Sequence, residues 1–193
     1  MRIVKESIQW ILLAAEAFLG PDASKQPAAR PNLLELFGGP SVGKTTLALE
    51  AAESLKARGS NVVWFDVKGD LSSADPALLI CRPACAEDAI EMIEQLCKSG
   101  AIDAMIIDPF SALVPKAESA TSIGQDTSKL KALFFQKAVQ QIALAAWQSQ
   151  TQIILVNENG PERAMMQNTL QSYCRTQVEI KGADSDYTFL TMI

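Results

Sequence analysis

The 193-residue chain contains no histidine, and its four cysteines form no C-x-x-C pair. Because Cys81 and Cys85 lie four positions apart and no histidine can complete a ligand set, the sequence argues against a zinc site. No signal peptide is recognisable, and no apolar run approaches the about 20 residues that a membrane-spanning helix needs. We therefore expect a cytoplasmic protein with reduced cysteines and no membrane partner.

Basic residues are also scarce, since 17 Lys and Arg stand against 22 Asp and Glu and give a net charge of −5. Such a chain exerts no general attraction on nucleic acid, so any DNA contact would need a local basic surface. Apolar residues, in contrast, make up 48% of the composition. This fraction and the length predict a globular domain with a sizeable core.

The most specific motif lies between an apolar strand, residues 33–37, and a helix that begins at Lys44. It reads G-x-x-x-x-G-K-T, the spacing of a phosphate-binding P-loop, in which glycines let backbone N–H groups close around phosphate oxygens. We predict that Lys44 reaches the β- and γ-phosphates of a nucleotide and that the Thr45 hydroxyl holds Mg²⁺. The predicted nucleotide-binding residues are Gly38, Gly39, Pro40, Ser41, Val42, Gly43, Lys44, Thr45 and Thr46.

Strands and helices alternate along the rest of the chain, which predicts an α/β fold with a mostly parallel sheet and helices on both faces. Polar residues, among them Asp66, Asp108 and Glu158, end several strands, where open α/β sheets bind ligands. In the last predicted helix, Leu130, Leu133 and Phe134 are among the residues at helical spacing. The predicted strands are 33–37, 62–66, 104–108 and 152–156, the helices 44–58, 86–99 and 128–149, and a β-hairpin joins 177–181 to 188–193.

The chain divides into residues 1–31, a helix and linker, and residues 32–193, the nucleotide-binding core. The predicted helix, 6–19, is apolar nearly all round and needs cover on both sides. It docks either on a second chain, which is its own copy or a partner protein, or back onto its own core.

Asp108 ends the strand 104–108 and fits a Walker B aspartate that orients Mg²⁺ through water. The alternative is an aspartate that caps a turn before Pro109.

The segment 99–118, which contains Asp108 and the run Pro115-Lys-Ala-Glu118, resembles the Walker B region of the bacterial RecA recombinases. Residues 33–46 and 156–157 align with that family in the same order, and 169–181 resembles the segment after its second DNA-binding loop. The resemblance implies a RecA-like core with ATP and Mg²⁺ as cofactors and Asp66 at the nucleotide.

Two positions depart from the family pattern. The family places a water-activating glutamate two residues beyond Asp66, where this chain has Lys68, which cannot accept a proton at neutral pH. If the alignment is out of register, Asp70 is the candidate base. Glu158 stands where the family has a glutamine that senses the γ-phosphate. A glutamate there is a sensor, a replacement base or a surface residue, and near a triphosphate it needs Mg²⁺ or Lys68 to offset its charge.

Both predicted DNA-binding loops are poor in basic residues. The first, residues 116–129, sets two lysines against Glu118 and Asp126, and the second, residues 159–168, has only Arg163. Because phosphate contacts drive non-specific affinity for nucleic acid, we expect weak binding of single-stranded DNA. The resemblance thus implies either an accessory factor in DNA repair and the SOS response to DNA damage, similar to the ImuA proteins, or an active minimal recombinase. We favour the accessory factor, with weak or absent ATPase activity and with its own copy or a repair protein as partner.

Overall fold

The computed structural model describes residues 32–71, 78–122, 124–174 and 176–181. In these residues the chain forms a six-stranded sheet with helices on both faces, which confirms the predicted α/β fold. The predicted helix 6–19, its linker and the second hairpin strand 188–193 lie outside the described residues. The elements are β1 (Leu33–Gly38), α1 (Lys44–Ala57), β2 (Val62–Asp66), β3 (Leu79–Cys81), α2 (Ala86–Ser99), β4 (Ala104–Asp108), a 3₁₀ turn (Phe110–Ala112), α3 (Lys116–Ser119), α4 (Ser128–Ser149), β5 (Gln152–Glu158), α5 (Pro161–Tyr173) and β6 (Thr176–Ile180).

The strand order is β3-β2-β4-β5-β1-β6, and each neighbouring pair is parallel. β1 lies between β5 and β6, so that Leu36 is level with Val156 on one side and with Val178 on the other. Parallel strands covered on both faces are nearly continuous apolar runs, which explains why apolar runs in the sequence located them. Their carboxyl ends all lie at one edge of the sheet.

Side chains alternate between two apolar clusters, one on each face of the sheet. From β2, Val63 and Phe65 join the cluster beneath α2, α4 and α5, while Val62 and Trp64 join the cluster beneath α1. The period of two along each strand produces this division. One helix therefore packs on one face and three on the other, within the described part of the chain.

The structure differs from the predicted secondary structure at several places. Residues 159–168, predicted as a DNA-binding loop, enter helix α5 at Pro161, because Pro161 occupies the first helical turn and Met166 and Leu170 are buried against the sheet. β3 was missed because three residues are too few for a periodic signal. The predicted strand 177–181 exists as β6, but it pairs in parallel with β1, and β5 runs two residues further than predicted, to Glu158.

Helix α4 has the predicted bounds, and the structure shows which of its faces is buried. Leu130 and Leu133 are 56% and 50% exposed, whereas Phe135, Val139 and Ile142 are fully buried. Apolar residues occur on both faces of this helix, so helical spacing alone could not select the buried one.

None of the described helices has both the length and the apolar character needed to cross a membrane. All four cysteines lie in the described residues and are free thiols.

Candidate functional site

A cleft of about 370 Å³ opens at the carboxyl ends of the central strands. The P-loop and the start of α1 line one side, with Ser41, Gly43, Lys44, Thr45 and Thr46 at its surface. The other side includes residues that end or follow β2, β4 and β5, among them Asp66, Lys68, Asp70, Asp108, Pro109 and Glu158. The fold therefore brings Asp66, Lys68, Asp108 and Glu158 to the same cleft as five of the nine predicted P-loop residues, while Gly38, Gly39, Pro40 and Val42 do not line it. The roles of all these residues stay predictions.

The loop from Gly38 to Gly43 leads from β1 into α1 with two residues in the left-handed region. Ser41 has φ +58° and Gly43 has φ +90°, and Gly43 occupies the N-cap position of α1 with no side-chain cap. A Cβ on Gly38 would lie 2.3 Å from the carbonyl oxygen of Ile180, so only glycine fits where β1 meets β6. The N–H groups at the start of α1 are therefore available to an anion, together with the positive end of the helix dipole.

Lys44 is the buried cation of the cleft and is only 7% exposed, whereas Lys68 lies at the rim. Its Nζ donates hydrogen bonds to the carbonyl oxygens of Gly38, at 3.2 Å, and Gly39. Burial lowers the pKa of Lys44, and the negative charges of Glu158 and Asp108 oppose that shift. The loop thus holds a partly desolvated ammonium group beside its own backbone, where a phosphate could take over these contacts.

Thr45 and Asp108 meet at the floor of the cleft. The Thr45 hydroxyl donates to Oδ2 of Asp108 at 2.7 Å. Burial raises the pKa of Asp108, while the hydrogen bond from Thr45 and the charge of Lys44 counteract the shift. A hydroxyl and a carboxylate are oxygen ligands of the kind that Mg²⁺ prefers, usually completed by phosphate oxygens and water. This set fits a magnesium–nucleotide complex, and the described residues contain no cluster of three or more acidic or cysteine side chains that could hold a metal without it.

Asp66 is 4% exposed and already has partners in the protein. It accepts hydrogen bonds from Nε of Arg82 at 3.0 Å and from the backbone N–H of Asp70 at 3.1 Å. These contacts fix the turn that follows β2 and so position the residues at the rim of the cleft. A direct contact between Asp66 and a nucleotide remains a prediction.

Lys68 and Glu158 form an ion pair between the ends of β2 and β5. Nζ of Lys68 lies 2.8 Å from Oε1 of Glu158, and both side chains are almost half exposed. The hydrogen bond from Lys68 lowers the pKa of Glu158. Lys68 is thus placed to offset the charge of Glu158. The sequence had suggested that either Mg²⁺ or Lys68 would offset this charge near a triphosphate.

A buried polar network behind the cleft was missed in the sequence analysis. Glu35, in the middle of β1, is fully buried and accepts hydrogen bonds from Nε of Arg163 and Nδ2 of Asn157, both at 2.8 Å, and from Gln177. Asn157 in turn accepts from the backbone N–H of Ser111 at 3.0 Å. The signal was a lone glutamate in an apolar strand, because a buried charge requires partners.

The basic residues of the two predicted DNA-binding loops are largely engaged within the protein. Arg163 is 8% exposed, and its Cζ lies 3.5 Å from the centre of the Phe37 ring, so its reading as a loop residue facing DNA was wrong. Lys116 pairs with Asp88 at 2.9 Å, which raises its pKa. The cause in both cases is local packing, since α5 and α3 replace extended loops at these positions.

Known proteins resemble this chain over most of its length. The family model for the RecA N-terminal domain matches residues 25–181. Protein RecA of Desulforapulum autotrophicum is 29% identical over 171 residues, which cover 80% of this chain and 49% of that protein. Protein RecA of Streptomyces rimosus is 30% identical over 176 residues, or 81% and 46% of the two chains. Protein RecA 1 of Myxococcus xanthus is 31% identical over 169 residues, or 79% and 49%. The chain therefore spans about half the length of these relatives.

Proposed function

The chain belongs to the RecA family, and from that membership we propose that it binds ATP with Mg²⁺ in the P-loop cleft. Lys44 and the N–H groups at the start of α1 would hold the phosphates, and Thr45 and Asp108 would hold the metal. Bound Mg²⁺ would neutralise charge on the phosphate oxygens. The contact between Thr45 and Asp108 supports this assignment, because it already joins the two proposed metal ligands.

We propose further that the protein acts in DNA repair or recombination as an accessory or regulatory factor with weak ATPase activity. The ion pair between Lys68 and Glu158 carries this proposal. At the position of the family's water-activating glutamate, Lys68 donates a hydrogen bond and cannot accept a proton. Glu158, the carboxylate that Lys68 contacts among the described residues, has a lowered pKa and is therefore a weaker base than an ordinary glutamate. Loss of general-base assistance typically costs about 10²–10⁴-fold in rate.

The residues in and around α5 support the proposal that the protein binds single-stranded DNA only weakly. A helix occupies the position of the second DNA-binding loop, and its one arginine, Arg163, is bonded to Glu35 inside the protein. Lys116, in the first loop region, is paired with Asp88. Few cations in these two regions are thus available to phosphate groups, which normally provide most of the affinity for nucleic acid.

The second candidate is an active minimal recombinase. It is favoured by the presence of two further carboxylates in the cleft, Asp70 and Glu158, either of which could activate water if nucleotide binding separated Glu158 from Lys68. The two candidates differ in the rate of hydrolysis and in its response to DNA.

Phosphate release from Mg-ATP, measured with and without single-stranded DNA, tests the proposal. We expect slow turnover that DNA changes little, although a fluorescent ATP analogue binds. The double variant Lys68→Glu/Glu158→Gln introduces the family's glutamate and glutamine and should raise the rate by roughly 10²-fold or more. Lys68→Gln/Glu158→Gln is the matched control, because it removes the same ion pair without adding a base, and its rate should stay low. Brisk hydrolysis by the unmodified protein that DNA accelerates would replace the accessory role by the recombinase.

The segment 6–19 is the proposed contact with a second copy or a repair protein, because a helix of this sequence would be apolar on most of its circumference. Deletion of residues 1–20 should then leave a folded core that no longer associates, as light scattering can measure. If the full chain is monomeric and the deletion destabilises the core, the segment packs on its own chain.

A further inference from the structure

Helix α4 buries one face against the sheet and exposes the opposite face along its whole length. The buried face includes Phe135, Val139 and Ile142. The exposed face has a central line with the heptad spacing of coiled coils. Four large apolar side chains on this line are 46–56% exposed. From one end to the other the line consists of Leu130, Leu133, Lys137, Gln140, Leu144 and Trp147.

This central line has the same order of chemical types in both directions. Each end carries two apolar residues, and the middle carries two polar residues, Lys137 and Gln140. The line is symmetric about the point midway between residues 138 and 139. Residue 130 corresponds to 147, residue 133 to 144 and residue 137 to 140. The flanking exposed positions obey the same rule, since 129 mirrors 148 and 136 mirrors 141. When a second copy of this face is turned end to end, its apolar ends meet apolar ends and its polar centre meets a polar centre.

We propose that α4 is a dimerisation surface on which a second copy of the chain packs its own α4 in antiparallel orientation. Leu133 of one copy then contacts Leu144 of the other, and the same contact recurs across the two-fold axis. Such an interface is isologous and closes at two subunits. It differs from a contact made by residues 6–19, and it does not depend on nucleotide binding.

Charge on this face selects the antiparallel orientation. In a parallel pair, Lys137 would face Lys137 of the second copy, and like charges at facing positions repel. In the antiparallel pair each Lys137 faces Gln140, whose amide oxygen can accept a hydrogen bond from the ammonium group. The dipoles of two antiparallel helices also oppose each other favourably.

The size of the surface predicts a weak dimer. The central line from Leu130 to Trp147 is about 26 Å long, at 1.5 Å per residue. One helix of this length buries less than the roughly 800 Å² per partner of a standard interface. The neighbouring helix α2 packs beside α4 and also carries an exposed apolar residue, Met92. Association should therefore depend on protein concentration.

Sedimentation equilibrium of the full chain over a range of concentrations tests the proposal. We expect a monomer–dimer equilibrium in the unmodified protein. Leu133→Lys and Leu144→Glu should each lower the association constant at least about tenfold, because each substitution removes two apolar contacts per dimer. The double variant Leu133→Lys/Leu144→Glu should regain dimerisation, since each new lysine faces a new glutamate of the other copy. Within one copy the two positions lie about 16 Å apart along the helix and cannot pair.

Two further variants sharpen the test. Lys137→Leu should strengthen association, because it removes the charge at the centre of the interface. Val114→Lys is the matched control, since Val114 is also an exposed apolar residue, at 43%, but lies outside α4. Circular dichroism of each variant should show unchanged helix content. A monomer at all concentrations, association constants that the single substitutions leave unchanged, or a folded double variant that stays monomeric would each overturn the proposal.

Discussion

Two ion pairs near the cleft have the same length and different surroundings. Nε of Arg163 lies 2.8 Å from Glu35, and Nζ of Lys68 lies 2.8 Å from Glu158. The first pair is buried, whereas both side chains of the second are almost half exposed. The distance between the charged atoms therefore does not tell whether an ion pair stabilises the fold or serves a ligand-binding site. Burial and the number of further partners decide it.

The buried pair is surrounded by donors that complete its hydrogen bonding. Both carboxylate oxygens of Glu35 accept from Arg163, and Asn157 and Gln177 each donate another bond. A buried charge with several fixed partners is costly to leave alone. The pair of Lys68 and Glu158 faces water, which replaces any partner that is lost. We therefore expect the first pair to hold α5 on β1 and the second to act on the nucleotide.

The largest expected effect is the loss of stability when the buried pair is broken. Arg163→Met leaves Glu35 charged and without its main partner, which should lower the free energy of unfolding by about 3–5 kcal/mol. Urea denaturation at pH 7 measures the change. Glu35→Gln/Arg163→Met removes both charges and should recover part of the loss, because Asn157 and Gln177 can still donate to the new amide. A loss below about 1 kcal/mol for Arg163→Met would contradict the proposed role of the buried pair in stabilising the fold.

A smaller effect is expected on nucleotide affinity when the cation of the cleft is removed. Lys44→Ala should weaken binding of a fluorescent ATP analogue by roughly 100-fold, because charge-assisted hydrogen bonds contribute about 1.5–3 kcal/mol each. Lys98→Ala is the matched control, since Lys98 is 75% exposed and pairs only with Glu94 of its own helix among the residues described. Equal affinities of the two variants would remove the basis of the proposed function.

The metal side of the cleft should show a still smaller effect. Asp108→Asn keeps a hydrogen-bond acceptor for Thr45 but removes the negative charge, so the gain in ATP affinity from added Mg²⁺ should fall by roughly tenfold, or about 1.4 kcal/mol. Titrations with Mg²⁺ and with a chelator measure that gain. Asp126→Asn changes the same residue type in the exposed segment before α4 and should leave the gain unchanged.

The sequence predicted the cleft better than it predicted the surroundings of the cleft. The P-loop and Asp108 could be predicted as site residues because a fixed spacing and a strand-ending carboxylate are local signals, and the structure places both at the cleft. Strands such as Val62–Asp66 were found because parallel buried strands are continuous apolar runs. The partner of Glu35 could not be predicted, since Arg163 lies 128 residues away and is brought close only by the packing of α5. Helix α5 was taken for a loop for a different reason, since its composition is mostly polar and only a few of its residues are buried.

The smallest expected effect concerns the exposed pair, whose contribution to stability should be below about 1 kcal/mol and dependent on pH and salt. The folded-state pKa of Glu158 is lowered from its ordinary value of 4.5, mainly by the hydrogen bond from Lys68. Its stabilisation is therefore complete above the unfolded-state pKa and disappears as pH falls through the lower, folded-state pKa.

Urea denaturation of the unmodified protein and Glu158→Gln at pH 7 and at steps down to pH 3 measures this contribution. The difference between the two should shrink as pH falls, and 1 M salt should reduce it at pH 7. Arg163→Met, measured in the same buffers, should keep most of its deficit in salt, because buried charges are screened little. A Glu158→Gln deficit as large as that of Arg163→Met, or one that salt leaves unchanged, would show that both pairs stabilise the fold in the same way. The proposed weakness of the ATPase activity would then rest on Lys68 alone and no longer on its ion pair with Glu158.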